Sequence, residues 1–389
     1  MMNITPFTDY IIEQDEKQRV DTTGHMYHAG DLLYAGDPDS AIEHSRAMLN
    51  RFNGLHTAGH EGYLKVDGGM SIVMGVDEDA RPFVSYKSAK ERFYDHEAIA
   101  ATGKDHYVNA LSPALDAVSS MDYMDPGTAI QADFLHNSEH TDRVYRSNPS
   151  GIIYRTNPSA KGKFAFAPHS RYEVKGSDLI RVGNDIDHDK IKSPMVHAPQ
   201  LSLADKEFNL SPYRRDSIAQ HIATAEELLQ DETTRDFAAS IPEDKNFHGL
   251  IQGYSNLIAR TTGKRSVEDL KDFVGDYVGR TRPESTRAKW AGKYMERINN
   301  NSTQLDNLFT AHHHINHAKH HLLDSHRGNH DQYEITPHGA DEHEGLVSHL
   351  EGKTSAKFVR EGPGGFAAKN AQRKTLESGQ AMSATVPPA

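Results

Sequence analysis

A lysine two residues ahead of an Asp-Gly-Gly turn is the group best placed to do chemistry in this chain. Lys65 stands in the run Glu61-Gly-Tyr-Leu-Lys-Val-Asp-Gly68. Such an amine can attack the α-phosphate of a nucleotide if it is neutral when it does so. Burial, neighbouring cations or a metal ion can help a lysine lose its proton. Asp67 falls on the same side of an extended chain as Lys65, where a carboxylate can meet a ribose hydroxyl. Gly68 and Gly69 let the backbone turn close to a ligand. The same run also reads as an ordinary strand-ending turn, so other residues must carry the chemical argument with it.

Five more runs supply them, in order along the chain. Lys87 follows the strand-like Phe83-Val-Ser-Tyr86. Asp133 lies in Gln131-Ala-Asp-Phe134, and Tyr154 ends Gly151-Ile-Ile-Tyr154. Glu344 opens Glu344-Gly-Leu-Val347, and Lys357 lies in Ser355-Ala-Lys-Phe-Val359. Taken together with Lys65, this order resembles the covalent nucleotidyltransferase superfamily of ATP-dependent DNA ligases, RNA ligases and capping enzymes. The likeness covers about 55–170 and 340–370. Within the superfamily it is closer to RNA ligases, because Gly69-Met70-Ser71 follows where DNA ligases carry an arginine. The layout is also similar to a group of phage proteins with a Lys-Trp-Asp-Gly run, an inserted helical region and a late Glu-Gly.

The resemblance implies a nucleotidyltransferase core of antiparallel, ATP-grasp-like sheets, α+β in class, with an inserted helical subdomain. It implies ATP and Mg2+, or Mn2+, as cofactors, and nucleic acid ends as partners, RNA before DNA. Lys65 would be the nucleophile that takes AMP. Leu64, Asp67, Gly68, Lys87, Tyr154 and Lys357 would bind the nucleotide, Tyr154 by stacking on adenine. Asp133 and Glu344 would hold the metal. The sequence departs from the pattern at Asp133, where glutamate is usual, at Ala132, where glycine is usual, and at Val359, where a second lysine is usual. Arg360 or Lys353 could replace that lysine. Two other readings stand beside ligation: a nucleotidyltransferase acting on another acceptor, and a non-enzymatic phage protein on the same fold.

Two further clusters have chemical potential. Among 25 histidines, the run 312–321 is the densest. On a helix His313, His317, His320 and His321 could share a face, as could His314 and His317, and bind zinc. The alternative is a polar helix packed through Ile315, Ala318 and Leu322. Arg280, Arg282, Arg287, Lys289 and Lys293 surround Trp290 and could meet a phosphate backbone, or form a solvated face anchored by the indole. Gly362-Pro-Gly-Gly365 lacks the Lys-Ser/Thr of a phosphate loop and reads as a plain loop.

The elements needed to position these groups are legible in outline. Asp37 or Asp39 caps a helix over 37–51. Strands are expected near 63–66, 70–74, 83–86, 130–135, 151–156, 163–167, 344–347 and 356–359, with a helix over 104–119. Apolar residues at helical spacing run from 215 to 325. The division expected is an arm (1–25), a first core part (26–200), a helical segment (201–330), a second core part (331–370) and a disordered tail (371–389). The chain's 389 residues suffice for such a core. Its net charge of -12 argues against strong sequence-independent binding to nucleic acid while leaving room for a local basic cleft. The absence of cysteine excludes thiolate chemistry and, with no apolar span and no signal-like N-terminus, fits a cytoplasmic protein, in the host cell if phage-encoded.

Overall fold

The computed structural model describes residues 26–368 apart from 67–69, 88–90, 122–123, 137–143, 147–152, 157–163, 184–185, 187–190, 192–195, 200, 262–263, 328–331, 338–342, 363–364 and 366–367. The expected N-terminal arm and C-terminal tail lie outside the described residues. The fold is α+β, with three largely antiparallel sheets and a long helical segment.

The first sheet joins strands from the two ends of the described residues. Its order is β1 (Tyr27–His28), β13 (Ala356–Val359), β12 (Gly345–Leu350), β2 (His60–Lys65). Within this sheet, among the described residues, β1 and β13 pair in parallel and the other pairs are antiparallel. Side chains alternate across it. Leu64, Leu346 and Phe358 lie in one register row and are all buried. Tyr63, Lys65, Val347 and Lys357 belong to the opposite face. The apolar face rests on helix α1 (Pro38–Phe52), which starts at Asp37, whose carboxylate accepts from the Ser40 amide at 3.1 Å. Beneath the sheet, the buried Ser348 hydroxyl meets His44 of α1 at 2.8 Å and His60 at 3.0 Å.

The second sheet runs β10 (Val196–His197), β8 (Phe164–Lys175), β5 (Thr128–His136), β3 (Ser71–Val76), β4 (Pro82–Tyr86), with β9 (Asp178–Gly183) also on β8. One face, with Ile72, Met74, Val84, Ile130 and Phe166, forms its own core with α2 (His96–Ala101) and α3 (Asp105–Ser119). The other face turns polar at the end nearest Lys65, at Ser71, Gln131 and Asp133. A third, small sheet is β11 (Ile335–Pro337), β7 (Ile153–Thr156), β6 (Val144–Arg146).

Helices occupy 212–326: α4 (Pro212–Leu228), α5 (Glu232–Ser240), α6 (Lys245–Arg260), α7 (Val267–Thr281), α8 (Glu284–Asn300) and α9 (Ser302–His326). Their buried side chains share one hydrophobic core with the first sheet and α1. Along α9, Leu305, Leu308, Ile315, Ala318 and Leu322 are wholly buried, the apolar stripe that its spacing requires. Among the described residues, no helix is long and apolar enough to cross a membrane.

Candidate active site

Lys65 is the last residue of β2 and pairs in register with Gly345, the first residue of β12. Glu344 therefore arrives beside it, and its carboxylate accepts a hydrogen bond from Lys65 Nζ in an ion pair. Gly345 is there for space. A Cβ on it would stand 2.1 Å from the Phe358 carbonyl oxygen of β13. Only glycine lets β12 approach closely enough to deliver Glu344. The lysine side chain remains 24% exposed while the glutamate is 6% exposed, so the amine is the half of the pair that a ligand can reach.

Lys357 lies on the other side of β12, paired with Val347 on the face that Lys65 shares. Burial first, and then the charge of Lys65, push its ammonium below the usual lysine range, while Glu344 acts in the opposite direction. His28 pairs with Lys357 across β1. Its pKa is lowered to about 3, by burial and then by Lys357, so this ring is neutral.

The second sheet contributes Asp133, directly across from Ser71. Burial works to raise its carboxyl, but contact with His169, then the His169 charge, the Lys65 charge and the Ser71 hydroxyl hold it below the ordinary carboxylate range. The Lys65 effect ties the two sheets into one site. Behind Asp133 runs a hydrogen-bonded row: Tyr172 Oη donates to Gln131 Oε1 at 2.7 Å, and Gln131 Nε2 donates to Ser71 Oγ at 2.9 Å. Lys87 extends the same row, its amide donating to the Ser71 carbonyl at 3.2 Å, and its side chain is exposed.

His169 was not expected here. Ala132 pairs with Pro168 and Gln131 with Ser170, which leaves His169 as the extra residue of a β-bulge in β8. A bulge re-aims a side chain, and this one brings His169 Nε2 to 3.7 Å from Asp133 Oδ1. The signal in the sequence was Pro168, since a proline inside a strand marks a bulge or an edge.

Other expected site residues lie elsewhere. Leu64 was expected at the nucleotide, but alternation along β2 sends its side chain into the core, 2% exposed. Tyr154 was expected to stack on adenine, yet its ring is wholly buried in the same core, with the His343 ring 6.0 Å away. Asp67 and Gly68 lie outside the described residues.

A second charged cluster, missed in the sequence, adjoins Lys357. Glu361 meets Lys319 Nζ at 2.7 Å and Arg265 Nη1 at 3.1 Å. Asp31 lies 3.5 Å from Arg265 and 3.4 Å from His312. Burial opposes the Glu361 charge, but Lys319 and then Arg265 outweigh it and hold the carboxyl well below its usual range.

The histidine run divides. His312 belongs to this buried cluster, while His313, His314, His317 and His321 gather with His221 of α4, whose Nδ1 is 2.8 Å from that of His314. Among the described residues no three His, Asp or Glu side chains enclose a metal position. Trp290 packs against the first core under Arg282, 4.2 Å above its ring, and Lys293 at 5.0 Å. A cleft of about 560 Å³ lies at the end of α1, lined by Arg51, Asp205, Lys206 and Arg215 among others. Arg51 there is committed to the carbonyls of Leu203 and Lys206, at 2.6 and 2.8 Å, so the cleft anchors a loop and assembles no reactive pair among the described residues.

No curated protein and no solved structure matches the chain. A family model does, over residues 23–373, and it takes in both sheets and every residue of this site. The chain belongs to DUF6267, a family of unknown function.

Proposed function

We propose that this protein is an ATP-dependent polynucleotide ligase, acting on RNA ends in preference to DNA, on a ligase-type nucleotidyltransferase fold. The observation that carries the reading is the Lys65–Glu344 ion pair, with Lys357 on the same sheet face and Asp133 of the second sheet both near enough to feel the Lys65 charge. Lys65 Nζ attacks the α-phosphorus of ATP. The bond from that phosphorus to the bridging oxygen breaks, and pyrophosphate leaves with the electron pair. Before the attack Lys65, an ammonium in the ion pair, gives one proton to Glu344, to which it is hydrogen-bonded, so that the attacking nitrogen is neutral. The second proton leaves the nitrogen for the departing pyrophosphate as the P–N bond forms. Lys357, close by and half-buried, offers positive charge to the phosphate oxygens as negative charge builds on them.

A divalent cation would supply charge neutralisation at the phosphates. Asp133 would hold it, and its chemistry fits, because its neighbours keep it ionised; Glu344, the other carboxylate expected at the metal, is engaged by Lys65. The AMP then passes to a 5′-phosphate end, and a 3′-hydroxyl displaces it to seal the strand.

The chain incubated with α-labelled ATP and Mg2+ is expected to retain label through denaturation, and Lys65→Ala to retain none. Nicked or broken RNA added afterwards should be joined. Labelling without joining would leave a nucleotidyltransferase with another acceptor. Absence of any covalent label, across several metals and nucleotides, would overturn the proposal.

A further inference from the structure

We infer that His169 and Asp133 form a two-ligand site for a divalent transition metal ion, Mn2+ in preference to Mg2+. The inference rests on the reading that assigns Asp133 to a metal, and adds a nitrogen ligand and a selectivity that neither the sequence pattern nor the family description contains.

Geometry is the first support. The 3.7 Å between His169 Nε2 and Asp133 Oδ1 is too long for a good hydrogen bond. Two donors each about 2.1 Å from one cation stand that far apart at an angle of about 120°. The second support is the way both side chains are held. His169 Nδ1 is hydrogen-bonded to Ser170 Oγ at 3.0 Å. In the tautomer that donates from Nδ1 to Ser170, Nε2 is free to ligate a cation that Asp133 also touches. Asp133 is held in turn by Ser71, which Gln131 and Tyr172 fix in place. Partners of this kind on the far side of each ligand are how proteins orient a metal site. The third support is the bulge. A regular β8 would leave no residue 169 between the positions opposite Gln131 and Ala132.

Two protein ligands leave the remaining positions to phosphate oxygens and water, the usual arrangement when a metal enters with a nucleotide. The donor set sets the preference. Imidazole nitrogen suits first-row transition ions, and Mg2+ favours oxygen alone. His169 is 37% and Asp133 22% exposed, so an ion can reach both.

The test is a titration of the full chain with Mn2+, followed by loss of the free-ion paramagnetic resonance signal, with and without a non-hydrolysable ATP analogue and with Mg2+ as competitor. One Mn2+ per chain is expected, bound at least tenfold more tightly than Mg2+. His169→Ala should lose tenfold or more in Mn2+ affinity and keep its Mg2+ affinity within about twofold, in line with the roughly 10–100-fold typical of such partners. Asp133→Asn should lose both ions, with circular dichroism confirming that each variant folds. Unchanged Mn2+ affinity in His169→Ala overturns the inference. So does a parallel fall for both ions, which would make His169 only a holder of Asp133. If the selectivity shifts but Lys65 takes no label, adenylation alone fails. If label forms and the selectivity is unchanged, the metal inference alone fails.

Discussion

Two charged clusters sit side by side in this protein, and they differ in one property. Around Glu361 the side chains of Arg265, Lys319 and Glu361 are each 1% exposed, with Asp31 at the rim at 21%. Around Lys65 the amine, Asp133 and His169 keep between a fifth and two fifths of their surface in solvent. The charges are of the same kinds, and Lys357 feels both clusters. A closed set of ion pairs can only hold the structure, here by tying α9 and the loop before α7 to the end of β13. An open set can exchange one of its partners for a ligand. Solvent access, rather than the presence of charge, separates the structural cluster from the chemical one.

The largest expected effect breaks the closed cluster. Glu361→Ala leaves Lys319 and Arg265 buried without their shared carboxylate. Removing one partner of a buried pair costs about 3–5 kcal/mol. Urea unfolding should show that loss, whereas Lys65→Ala, which removes the partly exposed member of its pair but leaves the buried Glu344 carboxylate, should cost less, about 1–2 kcal/mol. Equal losses in the two variants would erase the distinction between the clusters.

Acid should act on the closed side next. His28 is held at about 3 in the folded chain, by burial and then Lys357, against 6.5 when unfolded. His44, buried under the first sheet, is held at about 4, chiefly by burial. Between those values and 6.5 the unfolded chain takes up protons that the folded chain does not, so stability falls as pH falls through that window. Asp31 adds to the loss below 3.8. Burial would raise it, but His312 and then Arg265 bring it down to about 2. A tenfold difference in proton affinity between the folded and unfolded chain is worth about 1.4 kcal/mol, so unfolding free energy should be flat from about pH 7 to 8 and several kcal/mol lower at about pH 4. Stability that holds or rises over that fall in pH would contradict the neutral, buried imidazoles.

The open cluster was largely legible in the sequence and the closed one was not. Lys65, Asp133, Glu344 and Lys357 were picked out by short motifs in the order that the ligase resemblance implies, each in or next to a strand that local pattern predicts. Strand alternation also carried the information that Lys65 and Leu64 face opposite ways, and applying it to β2 would have sent Leu64 to the core. Arg265 and Glu361 are 96 residues apart. Lys319 sits in a histidine-rich stretch that reads as a polar helix packed through Ile315, Ala318 and Leu322, and no periodicity reveals that its amine is buried on a glutamate. His169 falls between these cases. Its address depends on one extra residue in a register that sequence alone does not set, although Pro168 was a hint.

A smaller effect should come from the glycine that delivers Glu344. Gly345→Ala puts a methyl group against the Phe358 carbonyl, which is backbone and cannot move aside. Overpacking of this kind costs about 1–3 kcal/mol. The displaced Glu344 should lower the label taken by Lys65 at least tenfold while the chain stays folded. Full labelling in a folded Gly345→Ala would mean that Glu344 does not need its position.

The smallest effect belongs to Lys87. It shares the row of Ser71 and Asp133, but its side chain is exposed and stands 5.9 Å from the Tyr86 ring, with no carboxylate holding it among the described residues. A flexible exposed lysine contributes modestly to stability, so Lys87→Ala should unfold like the parent within about 0.5 kcal/mol. If it meets the β- or γ-phosphate, the variant needs several-fold more ATP for half-maximal labelling and reaches the same final label. A fall in the final label at saturating ATP would place Lys87 among the groups that stabilise the transition state, and so extend the open cluster by one strand. No change in either quantity would end that cluster at Ser71.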